Sequence, residues 1–104
     1  MQLPSGGQVH LHETITEGNG SVTRLRYVTD GFAPDDMMPD TALEDLTFLC
    51  RSKALPNLTA PVEGQTVIIS LADRVAPFGV MDGSVAQIFE VFTIRDSICI
   101  WEAF

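Results

Sequence analysis

Two histidines, two cysteines and a run of acids are the residues of this chain whose types and spacing could support chemistry. His10 and His12 stand two apart in an alternating stretch, so a strand would project both from one face, a spacing that can chelate a metal. A third ligand is needed and Glu13 falls on the opposite face, so the pair reads as solvent-facing histidines and no metal site is assigned. Cys50 and Cys99 lie nearly half the chain apart, with no CxxC and no neighbouring histidine, which disfavours zinc. They are either two buried free thiols or one disulfide. A loop of that length, once closed, would add about 3–4 kcal/mol in the chain-entropy description.

The third constellation is acidic. Asp30, Asp35, Asp36, Asp40, Glu44 and Asp45 follow one another with no Lys or Arg anywhere between residues 27 and 50. Charges spaced in this way can imitate the phosphates of a nucleic acid and engage a basic protein surface. The stretch lacks the spacing of an EF-hand, and the plain alternative is a solvated loop with ordinary helix capping. The partner-binding residues expected are Asp35, Asp36, Asp40, Glu44 and Asp45. Catalytic machinery is not expected. There is no GxSxG elbow, the only histidines sit together, and Cys50 falls on the apolar side of a helix, where a thiol is inert. Met81-Asp82-Gly83-Ser84 reads as a turn before a strand. No cofactor is implied.

The elements that must position these residues follow from periodicity. Gln8 to Thr16 alternates, with Val9, Leu11 and Ile15 expected on one side. Glu17-Gly18-Asn19-Gly20-Ser21 suits a turn, and Val22 to Thr29 alternates again, with Leu25 and Tyr27 opposite Arg24 and Arg26, so the two strands form an antiparallel hairpin. After a loop with Pro34 and Pro39, Leu43, Leu46, Leu49 and Cys50 follow helical spacing from Ala42 to about Ala54. Asp40 or Thr41 would cap this helix, Arg51 and Lys53 suit its last turn, and Pro56 should stop it. Gln65 to Ala72 is apolar and β-branched, as in a central strand covered on both faces. Ser84 to Arg95 is a longer strand, and Arg95-Asp96-Ser97 turns into a last one, Ile98 to Ala103. The order ββαβββ predicts an α+β domain: an antiparallel sheet of about five strands with one helix on one face. Its expected core is Leu43, Leu46, Leu49, Ile69, Leu71, Ile88 and Phe92.

The whole chain sets limits on function. Its 104 residues provide one domain, and a composition of 45% hydrophobic and 19% charged residues is that of a globular core former. No apolar run reaches the ~18 residues of a membrane helix. Fourteen acids against six bases give a net charge of −8, which repels nucleic acid and anionic membranes and favours a basic protein partner. Met1 to Gly7 has neither the basic start nor the apolar stretch of an export signal. The compartment expected is therefore the cytoplasm, or the periplasm if a signal has been removed.

Ser70-Leu71-Ala72-Asp73-Arg74 with Pro77-Phe78-Gly79, the closing Cys99-Ile100-Trp101-Glu102-Ala103-Phe104, and Phe48-Leu49-Cys50 with Ala54-Leu55-Pro56 carry a resemblance. They resemble an uncharacterised family of small, mostly exported alphaproteobacterial proteins. That resemblance implies export and favours a Cys50–Cys99 disulfide, but it brings no activity. The label acetolactate synthase, borne by some members, does not fit, since a thiamine-diphosphate enzyme needs a far larger scaffold and a cofactor motif that Asp82-Gly83-Ser84 does not supply. In size and charge alone the chain also resembles phage-encoded inhibitors of CRISPR defence. The expected function is thus non-enzymatic: an inhibitor that occludes a basic, nucleic-acid-binding surface of a protein. The alternative is an exported, disulfide-bonded domain with an envelope ligand.

Overall fold

A computed structural model describes residues 3–4, 8–17, 21–29, 39–57, 64–74, 87–96 and 98–102, with the backbone alone at 39, 40 and 57. Five strands make one sheet: β1 His10–Glu17, β2 Val22–Val28, β3 Thr66–Ala72, β4 Gln87–Arg95 and β5 Ile98–Glu102. They lie side by side in chain order. Between β2 and β3 runs helix α1, Pro39–Leu49, continued by a wider π-helical turn, Cys50–Ala54, and a short α2, Leu55–Asn57. The class is α+β, as the pattern of elements predicts.

One pairing differs from the expected antiparallel sheet. β1–β2, β3–β4 and β4–β5 are antiparallel, but β2 and β3 run parallel, with Leu25 opposite Ile69 and Tyr27 opposite Leu71. The helix causes this. It carries the chain back along the sheet, so the next strand starts at the same end as the last, as parallel neighbours require. Backbone bonds close both ends of the pairing, from the Thr66 amide to the Ser21 carbonyl and from the Thr29 amide to the Ala72 carbonyl, each 2.9 Å.

The register sorts side chains onto two faces. Leu25, Tyr27, Val67, Ile69, Leu71, Phe92, Ile94 and Cys99 share the face under the helix, and all are buried. Leu46, Leu49, Cys50 and Ala54 close over them. Of the expected core, Leu46, Leu49, Ile69, Leu71 and Phe92 are buried, and Leu43 and Ile88 pack at its margin. On the far face of β3 Ile68 and Ser70 are half-buried and Ala72 is buried.

Three local expectations change. Ile15 lies on the far face opposite Arg24 rather than with Val9 and Leu11, because the register shifts by one residue between Leu11 and Glu13, while Leu11, opposite Tyr27, is exposed. Such a bulge reverses the alternation beyond it. The helix begins at Pro39, so Asp40 and Thr41 lie inside the first turn instead of capping it. Proline's fixed φ and missing N–H suit a first turn. At the other end the helix passes through Pro56 to Asn57. The preceding turn is widened, with the Leu55 amide bonded to the Cys50 carbonyl five residues back, and this spacing relieves the clash a proline ring makes in a regular helix. Asp96, between β4 and β5, adopts φ 53°, a left-handed conformation that Asp tolerates better than most residues. The stretches 18–20, 30–38 and 75–86, with the expected turns at Gly18-Asn19-Gly20 and Asp82-Gly83, lie outside the described residues.

Candidate functional site

The acidic constellation divides along the helix. Glu44 is exposed, whereas Asp45, the next residue, has no accessible surface at all. Adjacent helical residues point about 100° apart. Asp45 stands one turn before Leu49 and shares its inward side, while Glu44 faces outward. No buried side-chain N or O among the described residues lacks a hydrogen-bond partner, so this carboxylate is held within the fold. Asp45 therefore leaves the expected partner-binding set. Its distance from Leu49 was the available signal, masked by the acids around it. Asp40 sits in the first turn of α1, and its side chain, with Asp35 and Asp36, lies outside the described residues.

The cysteines resolve into one bond. Cys50 at the start of the π turn and Cys99 near the start of β5 form a disulfide, with Cα atoms 6.3 Å apart. Both are fully buried. Thiol exchange needs access to sulfur, so the bond acts as a clamp of edge strand on helix rather than as a reactive centre. Arg51 reinforces the clamp, donating through Nη2 to the Cys99 carbonyl at 3.4 Å.

His10 and His12 are both exposed, and the bulge interrupts the alternation that would have given them a common face. Among the described residues no group of three or more His, Cys, Asp or Glu is placed to hold a metal ion. The sheet face away from the helix carries charge instead. Arg24 pairs with Glu17 at 3.2 Å, and Arg26 pairs with Glu13 directly across the β1–β2 hairpin. These pairs were legible as period-two charges in both strands, yet the sequence reading passed over them.

Apolar side chains exposed near β5 were also missed. Phe89 is 60% exposed, Ile98 47%, Trp101 44% and Ile100 36%. Trp101 lies on the helix side of the sheet and donates from Nε1 to Glu90 Oε2 at 2.8 Å. Phe89, Ile98 and Ile100 share the far face with the ion pairs. Alternation sets Phe89 on the face opposite Ile88 and Phe92, but it does not show which face the helix covers.

The family model DUF6497, a family of unknown function, matches residues 1–104. The chain belongs to that family. Every described element of the DUF6497 fold, including both cysteines, falls within the match. No curated protein and no solved structure matches the chain.

Proposed function

We propose that this chain works by binding rather than by catalysis, as a disulfide-held domain of an oxidising compartment such as the bacterial envelope, where it captures a ligand. One observation carries the reading: the Cys50–Cys99 bond between helix and edge strand. Disulfides persist where thiols are not kept reduced, and the bond is built into the core rather than set on the surface. The test is alkylation without reduction, followed by mass spectrometry, on protein recovered from separated envelope and cytoplasmic fractions of its native cells. Bonded cysteines in the envelope fraction support the reading. Two labelled thiols in cytoplasmic protein would overturn it.

A second reading rests on charge. The net charge of −8 and the exposed Glu44 near the start of α1 favour a basic protein partner. The chain would then act as an inhibitor that occludes a nucleic-acid-binding surface, in the manner of anti-CRISPR proteins, with Asp35, Asp36, Asp40 and Glu44 as the contact residues.

A further inference from the structure

The far face of the sheet, opposite the helix, combines exposed apolar side chains with a charge balance unlike that of the rest of the molecule. No helix among the described residues covers it. Along β4 and β5 it presents Phe89, Ile98 and Ile100, each more than a third exposed. The ionisable residues that the described strands place on this face are His10, Glu13, Glu17 and Glu102 with Arg24, Arg26 and Arg95. Three acids meet three arginines, and two of those arginines are engaged within the chain by Glu17 and Glu13. With His10 neutral, the described residues of this face are therefore balanced in charge, on a chain whose net charge is −8.

We propose that this face is the contact between two copies of the chain, sheet against sheet. A basic partner would be drawn to the acidic excess elsewhere and gains nothing electrostatic here. A second copy supplies the apolar surface that Phe89, Ile98 and Ile100 require, and it brings a balanced set of charges to a balanced set. A two-fold axis makes the patch self-complementary, the usual arrangement in homodimers. Five strands at ~4.8 Å and about seven residues at ~3.3 Å span on the order of 500 Å² in projection. That is small beside the ~800 Å² of accessible surface per partner in a standard interface, so the association is weak, in the micromolar to millimolar range.

Sedimentation equilibrium of the oxidised protein, from micromolar to millimolar concentration, tests the proposal. The mass should rise from 11.3 kDa toward twice that value. Added sodium chloride should strengthen the association, because it screens the repulsion between two acidic chains without breaking pairs across a neutral face. Phe89→Lys, at an exposed site, should weaken dimerisation about tenfold or more while leaving thermal unfolding unchanged. Ser52→Lys, exposed on the helix side, should leave it intact. A single 11.3 kDa species at every concentration would sink the proposal. So would a dimer that Phe89→Lys leaves as tight as wild type, or one that Ser52→Lys disrupts equally.

Discussion

Glu44 and Asp45 are neighbours of the same charge with different physical roles. Replacing exposed Glu44 with Ala should shift stability by no more than about 0.5 kcal/mol, as surface changes do. Replacing buried Asp45 with Ala removes its hydrogen bonds within the fold, and the cost expected is about 1–3 kcal/mol in denaturant unfolding. Equal losses would show that the inward side of α1 has been wrongly assigned. Tyr27, the only tyrosine, is buried, and desolvation holds its phenol above the ordinary value of 10.0. The neutral form is thus favoured more in the folded than in the unfolded chain. Its stabilising contribution is complete below the unfolded pKa and is lost as pH rises past it through the folded value. An absorbance titration of folded protein should give tyrosinate later than in urea. Tyr27→Phe should flatten the decline in stability on the alkaline side, and an unchanged slope would point to other groups.

Elements hold together here through α1 and the clamp on β5. Leu46 is fully buried between helix and sheet, and Leu46→Ala should cost about 2–5 kcal/mol by loss of transfer energy and creation of a cavity. A loss below ~1 kcal/mol would contradict that packing. β5 pairs with β4 alone among the described strands, and the helix holds it through the disulfide and the Arg51 hydrogen bond to the Cys99 carbonyl. The bond closes a loop of 49 residues, for which the chain-entropy description gives about 4 kcal/mol. Cys50→Ala with Cys99→Ala should therefore lower the denaturant midpoint sharply. Trp101, the only tryptophan, lies two residues beyond Cys99, and its fluorescence reports whether β5 leaves before the rest unfolds. Coincident fluorescence and circular dichroism transitions would mean that β5 stays docked without the bond.

At the scale of the molecule, charge decides what the chain attracts. Asp35, Asp36 and Asp40 changed together to Asn would bring the net charge from −8 to −5 with little change in side-chain volume. If the inhibitor reading holds, affinity for a CRISPR effector complex falls in this variant. It falls more at low salt, where screening is weaker, and mainly through slower association. Binding titrations at two salt concentrations measure this. Equal affinities of wild type and variant at both would leave the acids with a role in solubility only.

The amino-acid order determined a great deal about this protein. Alternation and helical spacing marked five strands and a helix, because a half-buried strand and an amphipathic helix each write their period into the chain. Leu25 and Tyr27 read as inward against Arg24 and Arg26 for that reason, and so did Leu46, Leu49 and Phe92. The tertiary structure decided what depends on neighbours distant in sequence. Periodicity carries no strand direction, so the parallel pairing of β2 with β3 came only from the path of the helix between them. One extra residue near His12 turned Ile15 to the far face, and nothing in the local pattern announces a bulge. Asp45 was hidden in a run of acids until the helix was docked and its side became interior. Cys50 and Cys99 could have been free thiols or partners, and only the crossing of helix over β5 brought their Cα atoms to 6.3 Å. The outward exposure of Phe89, Ile98 and Ile100 belongs to the same class, since a side chain's burial is settled by what packs on its face rather than by its own hydrophobicity.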